Sequence, residues 1–172
     1  MKNTNIGILA VVIAAIVIVA AYFAITTYAL PAVKTGDTVS VYYTGSFTNG
    51  TVFNSNVGGQ LFNFTVGAGE VIPGFDQAVL GMHAGQNKTV TIPPQDAYGN
   101  VNQSLIVSLP IKDFGNQTVK VGSVFTNSAG SGSGVQGTVV AVNSTNATLD
   151  FNPPLAGKTL VFSIKIVKIK AG

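Results

Sequence analysis

The chain has 172 residues, 47% of them hydrophobic and only 9% charged, and its net charge is +3. Its nine basic residues are all Lys and form no cluster, which argues against a nucleic-acid partner, because such proteins usually gather basic residues and use Arg for bidentate contacts. The absence of Cys excludes a disulfide framework, a thiolate metal site and a thiol nucleophile, and the length fits one domain or two small ones.

The first predicted element is a membrane-spanning helix over residues 6–28, which contain no charged side chain. As a helix this segment is roughly 35 Å long, enough to cross a hydrocarbon core of about 30 Å. Lys2 precedes the span, so the positive-inside rule predicts an inside amino terminus. We expect residues 1–32 to be the anchor and tether of a single-pass cell-membrane protein with an extracytoplasmic C-terminal domain. The alternative is a cleavable signal peptide, whose apolar stretch is usually shorter.

Asn-x-Ser/Thr triplets, the acceptor sequence for N-glycosylation, also favour an exported domain. The chain has seven of them, whereas its composition alone predicts about two. The alternative explanation is a compositional bias toward Asn and Thr on a polar surface. The triplets begin at Asn49, Asn63, Asn87, Asn102, Asn116, Asn143 and Asn146.

The first strands are predicted soon after the tether. Apolar and polar side chains alternate over residues 39–43 and again over 62–66, the pattern of half-buried strands. Between them, Asn49-Gly50 is a strong hairpin-turn signal, and it leads into a short strand at residues 51–53.

A short helix and two further strands complete this part of the chain. Residues 73–80 predict the helix, because Pro suits a first-turn position and Phe75 begins an apolar face. Residues 88–92 predict a strand that ends at a Pro pair, and residues 159–169 predict the last strand. That strand changes phase at Val167, which predicts a β-bulge.

Residues 100–152 differ in character and lie before the final strand. They predict several short strands and a flexible glycine–serine tip at residues 128–134. Because the last strand follows them, this module is predicted to be inserted rather than appended. The predicted divisions are residues 1–32 for the anchor and tether, 33–99 for the first part of the main domain, 100–152 for the insert and 153–172 for the final strand.

Five short segments place aromatic and β-branched side chains in a distinctive order. They are Tyr42-Tyr43-Thr44-Gly45, Gly50-Thr51-Val52-Phe53-Asn54-Ser55, Phe62-Asn63-Phe64 with Gly69-Glu70-Val71-Ile72-Pro73-Gly74-Phe75, Asp96-Ala97-Tyr98-Gly99 and Leu160-Val161-Phe162-Ser163-Ile164. This order resembles the FKBP family of peptidyl-prolyl cis/trans isomerases. The position of the insert and its exit at residues 152–160 are similar to the SlyD-like members, which carry an insert-in-flap domain. The resemblance implies an α+β fold, an FKBP-like curved antiparallel sheet around one short helix, with a small, mostly β insert and the N-terminal transmembrane helix.

The resemblance also assigns the site residues. Phe75 would lie beneath the proline ring, and the Ile72 backbone N–H and the Tyr98 hydroxyl would donate to substrate carbonyls. Asn54 stands where the family usually has Asp. Glu70 is expected to fix a loop rather than to touch substrate. The matched pocket positions are Tyr43, Phe53, Phe62, Val71, Ile72, Phe75, Tyr98 and Phe162.

Conventional catalytic sets are missing from the sequence. His83 is the only His and is expected in a structural, solvent-exposed turn, and the six carboxylates are scattered. No metal or cofactor is therefore implied. Prolyl isomerisation needs none of these groups, because an apolar pocket disfavours the dipolar planar amide relative to the twisted transition state.

The predicted function is that of a prolyl isomerase and folding chaperone that acts on exported or membrane polypeptides through an apolar aromatic pocket. Its expected partners are unfolded or proline-containing polypeptides, FK506-like ligands by the resemblance, and the membrane through the N-terminal helix. One alternative is a non-catalytic peptide-binding holdase with an FKBP fold. Another is an extracellular structural or adhesion β-protein.

Overall fold

The computed structural model describes residues 13–20, 30–127 and 135–172. Residues 13–20 are helical (α1). The predicted membrane helix at 6–28 lies mostly outside the described residues, and the predicted tip at 128–134 lies entirely outside them. Within the described ranges, no helix is both long enough and apolar enough to cross a membrane.

The main body is a five-stranded antiparallel sheet with one helix packed against it. Its elements are β1 (Thr38–Phe47), β2 (Val52–Ser55), β3 (Phe62–Thr65), α2 (Pro73–Val79), β4 (Asn87–Ile92) and β9 (Leu160–Lys170). The strands follow the order β2-β1-β9-β4, and β3 pairs with β1 beyond the end of β2.

The two longest strands hold the core, because their apolar side chains alternate. Val39 and Val41 of β1 are fully buried, as are Ile164 and Ile166 of β9. The predicted bulge is confirmed by the register: Ser40 pairs with Lys168 and Val41 with Ile166, which leaves Val167 without a partner. The extra residue keeps both halves of β9 in phase with the core.

Helix α2 covers the sheet with a short apolar face. Phe75, Ala78 and Val79 are buried in the same cluster as the sheet residues. Pro73 is the first residue of the helix, as predicted. The helix ends at Val79, one residue before the predicted end at Leu80. Gly81, with φ of 75°, turns the chain away from the helix.

Residues 106–150 form a separate four-stranded antiparallel sheet in the order β5-β8-β7-β6. Its own cluster is small, with Val139, Ala147 and Leu149 fully buried. Residues 143–146 form a turn, with the Asn143 N–H donating to Asn146 O at 2.9 Å. The strands are β5 (Ile106–Pro110), β6 (Val124–Asn127), β7 (Val135–Val142) and β8 (Asn146–Asp150), and three short 3₁₀ helices cover Pro94–Asp96, Gln103–Leu105 and Ile111–Phe114.

Two glycines join the sheets where the chain leaves the main body and returns to it. The Gly157 N–H donates to Gly99 O at 2.8 Å. Both residues have positive φ, 82° at Gly99 and 70° at Gly157. A Cβ on Gly157 would lie 2.6 Å from Val101 Cγ2, so a side chain at Gly157 would require Val101 to move. We call this pair the glycine neck.

Candidate active site

A cavity of about 410 Å³ opens on the main body between the sheet and α2. Its volume lies in the usual range of small-molecule pockets. All nine sequence-predicted site residues line it, together with Gly69 and Glu70, which the sequence did not assign to the pocket. The lining residues are Tyr43, Phe53, Asn54, Phe62, Gly69, Glu70, Val71, Ile72, Phe75, Tyr98 and Phe162.

The base of the cavity is built from interlocking aromatic rings. Phe75 is only 4% exposed, and its ring lies 5.3 Å from that of Phe162 at 90° and 5.9 Å from that of Tyr43 at 86°. Edge-to-face contacts of this kind add stability beyond the buried area. These contacts hold the Phe75 ring in place against the cavity.

Gly45 allows two of the lining rings to approach the sheet. It pairs with Phe162 across β1 and β9 and with Asn54 across β1 and β2. A Cβ at this position would lie 2.7 Å from Phe53 Cζ and 2.9 Å from Phe162 Cε1. The strand therefore needs Gly here for a packing reason, since its backbone is not in the left-handed region.

The wall on the β1 side is held by side-chain amides. The Tyr43 hydroxyl donates to Asn54 Oδ1 at 3.1 Å. The Tyr43 backbone N–H donates to Asn56 Oδ1 at 2.7 Å, and Asn56 Nδ2 donates to Val41 O at 3.0 Å. Sequence analysis missed the role of Asn56, which closes the chain after β2 against β1.

Two carboxylates shape the loop that leads to α2. Glu70 Oε2 accepts the Thr65 N–H at 3.1 Å, and both carboxylate oxygens of Asp76 lie 3.0 Å from the Gly67 nitrogen. Glu70 fixes the loop as predicted, but it also lines the cavity. Its place beside Val71 in the motif was the signal that could have marked it. Among the described lining residues it is the one carboxylate.

Two hydrogen-bond donors at the cavity have no acceptor among the described residues. The first is the Ile72 N–H. The Ile72 carbonyl accepts the N–H groups of Phe75 and Asp76 at 3.0 and 3.1 Å, but the Ile72 N–H itself makes no hydrogen bond to a described residue. The Tyr98 hydroxyl is the other, on a side chain that is 45% exposed. A bound peptide carbonyl could accept from either.

His83 lies away from the cavity. Its backbone bridges to Ala32, and its N–H donates to Gln86 Oε1 at 2.9 Å. The side chain is half-buried rather than solvent-exposed, because the tether packs beside it, and Nδ1 has no hydrogen-bond partner among the described groups. The described residues contain no cluster of three or more His, Cys, Asp or Glu side chains that could hold a metal ion.

The sequence profile of the family described as FKBP-type peptidyl-prolyl cis-trans isomerase matches residues 31–167. The chain belongs to this family. The antiparallel sheet with its short helix is therefore the FKBP-like α+β fold predicted from the motifs, and the chain is an FKBP-type isomerase.

Curated relatives agree with this assignment. The isomerase is 32% identical over 133 residues to a probable FKBP-type 16 kDa peptidyl-prolyl cis-trans isomerase of Pseudomonas fluorescens. The alignment covers 77% of this chain and 89% of the relative. It is 42% identical over 103 residues to a short-type peptidyl-prolyl cis-trans isomerase of Methanocaldococcus jannaschii, covering 60% of this chain and 64% of that one. It is 29% identical over 116 residues to SlyD of Helicobacter pylori, covering 67% and 63%.

The chemistry open to this FKBP-type site follows from its composition. An X–Pro bond rotates over a barrier of about 18–20 kcal/mol, because amide resonance must be broken. A ring-lined cavity excludes water and so disfavours the more dipolar planar form relative to the twisted one. Each 1.4 kcal/mol of such differential stabilisation gives about tenfold in rate. No proton transfer or electrophile is needed.

Proposed function

We propose that the aromatic cavity is where this FKBP-type enzyme isomerises X–Pro bonds, with exported or membrane polypeptides as substrates. The observation that carries the proposal is the convergence of nine motif residues on one cavity, with Phe75 and Phe162 at its base. The proline ring packs on Phe75. The Ile72 N–H and the Tyr98 hydroxyl then hold the carbonyls on either side of the bond.

A peptide assay tests the site directly. Isomerisation of an Ala-Leu-Pro-Phe peptide is followed with the full chain, and FK506 is added as a competitor. We expect catalysis that FK506 inhibits, because a pipecolyl ring fills the same apolar cavity as proline. Catalysis that survives substitution of both Phe75 and Tyr98 in a folded protein would place the site elsewhere.

We further propose that residues 100–152 act as an insert-in-flap module that holds unfolded chain. The module leaves apolar side chains on the surface, with Val121, in the turn before β6, 67% exposed and Val124, in β6, 58% exposed. Exposed apolar groups of this kind mark interaction sites. The outer strands β5 and β6 also offer edges to which an extended peptide could add.

Excision of the insert separates the two activities. A variant in which a short Gly-Ser linker replaces residues 100–152 keeps the glycine neck and the cavity. We expect it to retain activity on short peptides but to lose suppression of aggregation of a reduced, unfolded client. If aggregation is suppressed equally without the insert, the holding function belongs to the main body.

We propose that residues 6–28 hold the enzyme at the cell membrane, with its C-terminal domain extracytoplasmic. The uncharged length of the segment and the placement of Lys2 support this. Fractionation of cells that express the full chain, followed by protease treatment of intact cells, tests it. We expect the chain in the membrane fraction and the domain degraded from outside. A chain that fractionates with soluble proteins, or that is protected until lysis, contradicts the proposal.

A further inference from the structure

The seven Asn-x-Ser/Thr triplets have no part in the isomerase chemistry. None of their Asn residues lines the aromatic cavity. Six of the seven Asn residues are exposed, and Asn146 is half-buried. Exposure alone does not distinguish a glycosylation site from a chance triplet. The hydrogen bonds of the Asn side chains, however, divide the seven triplets into two groups.

Three of the triplets fold into the same tight turn. Asn49 Oδ1 accepts the Thr51 N–H at 3.0 Å. Asn102 Oδ1 accepts the Ser104 N–H at 3.0 Å and its hydroxyl at 2.7 Å.

The third triplet repeats this geometry on the second sheet. Asn143 Oδ1 accepts the Thr145 N–H at 2.9 Å and its hydroxyl at 3.2 Å. In all three the Ser or Thr of the triplet itself, two residues after the Asn, is a donor; at Asn143 the Asn146 N–H also donates to Oδ1, at 2.7 Å. This is an Asx-turn, and it leaves each Nδ2 without a hydrogen bond to any described residue.

The other four triplets lack this turn. Asn63 and Asn87 lie in strands β3 and β4, and Asn146 begins β8 next to the fully buried Ala147. In a strand, residues two apart are separated by roughly 6–7 Å, which is too far for the side-chain amide to reach the N–H. Asn116 lies in a loop and makes no such bond.

We propose that Asn49, Asn102 and Asn143 are N-glycosylation sites of this enzyme. The proposal rests on the proposed export of the domain, and it deepens that proposal by naming the modified positions. The co-reactant is an oligosaccharide carried on a lipid phosphate or pyrophosphate, delivered by a transferase. All three positions lie outside the cavity lining, so the modified enzyme keeps its substrate opening.

The transfer step balances with these groups. The Asn Nδ2 attacks the anomeric carbon of the sugar and forms an N–C bond. The C–O bond to the lipid phosphate breaks, and the lipid phosphate leaves with its electron pair. Nδ2 loses one proton to a base of the transferase. Donors on Oδ1 withdraw electron density from the amide and ease this loss, and the Asx-turn supplies them in advance.

Site-resolved mass spectrometry of the full chain, isolated from the native cell, tests the inference. Trypsin leaves Asn49, Asn63 and Asn87 in one fragment, because no Lys lies between residues 34 and 88; a second protease that cuts after Phe and Tyr separates them. We expect a glycan at Asn49, Asn102 and Asn143. We expect none at the other four positions.

Matched variants check the same point on whole protein. Asn143→Gln should remove one glycan mass, whereas Asn146→Gln, three residues away, should change nothing. Thr51→Ala keeps the backbone donor but loses the hydroxyl, and should remove the glycan at Asn49. Modification at the strand positions to the same extent as at the turns overturns the inference.

A chain without glycans also overturns it, and protease treatment of intact cells then tells why. If the domain is accessible from outside, export stands and the glycosylation inference alone is wrong. If the domain is protected, the proposed export is wrong as well. The activity of the cavity on proline peptides is measured separately and is independent of both results.

Discussion

The Tyr43 hydroxyl donates a hydrogen bond to Asn54 Oδ1 at 3.1 Å, across the pair of strands that forms one wall of the cavity. The bond fixes a ring that also packs edge-on against Phe75, with centroids 5.9 Å apart. Sequence analysis marked Asn54 as a departure from the family's usual Asp. In the structure its amide oxygen provides the acceptor that a carboxylate would provide.

A double-mutant cycle tests whether the two residues act through this bond. A net hydrogen bond is worth about 1 kcal/mol, so Tyr43→Phe and Asn54→Ala should each lower kcat/KM by about fivefold. Because both remove the same bond, the double variant should be no worse than the poorer single one. If the fold-changes of the two single variants multiply in the double variant, the two groups contact substrate independently. Asn54→Asp, which keeps the acceptor, serves as the control and should retain activity.

Tyr98→Phe should separate activity from stability. The hydroxyl has no partner among the described residues and the side chain is 45% exposed, so its removal should leave the urea midpoint unchanged. If it donates to a substrate carbonyl, kcat/KM should fall by about fivefold, the equivalent of about 1 kcal/mol. An unchanged kcat/KM would remove Tyr98 from the substrate-binding groups.

Replacement of Phe75 should mainly lower the free energy of unfolding, whereas replacement of Phe62 should mainly raise KM. Phe75 is 4% exposed, so Phe75→Ala should cost roughly 3–5 kcal/mol of unfolding free energy. Phe62 is 37% exposed, so Phe62→Ala should cost only about 1–2 kcal/mol, yet it should still raise KM because it removes part of the cavity wall. Urea unfolding and peptide kinetics on both variants measure this. A Phe62→Ala enzyme with wild-type KM contradicts the assignment.

Gly45→Ala should reduce activity by pushing rings into the cavity. The new methyl would lie within 3 Å of Phe53 and Phe162, and overpacking of this kind costs about 1–3 kcal/mol. Gly59→Ala is the matched control, because the nearest atom to its Cβ is Asn56 O at 3.4 Å. We expect kcat/KM to fall by about fivefold or more at Gly45, since about 1 kcal/mol corresponds to fivefold, and to stay unchanged at Gly59. Equal effects would argue against steric coupling to the rings.

The main body could be predicted from sequence because its signals are local and repeated. Alternation over β1 and β9 fixed which side chains face the core, and the change of phase at Val167 marked the bulge. Pro73 marked the start of α2, and the predicted end at residue 80 lies one residue beyond the observed end. These patterns follow directly from backbone geometry, so one sequence suffices to find them.

The supports of the site could not be predicted in this way. Asn56 and Asp76 hold loops through side-chain bonds to backbone groups that lie between 9 and 15 residues away. No periodicity marks such bonds, because any Asn or Asp in a loop is an equal candidate. The convergence of Phe53, Phe75 and Phe162 on one cavity was expected from the family's motif order. Without that order, alternation would have assigned them to the core.

The glycine neck has a consequence for how such chains change over time. The hydrogen bond between Gly99 and Gly157 joins the two points at which the chain leaves the main body and returns to it. Relative to the main body, the residues between these points are therefore one long loop. Under the proposed roles of the insert and the cavity, changes in the length or sequence of this loop would alter which clients are held, and the aromatic rings would stay in place. New client specificity would then arise without any change to the isomerase site.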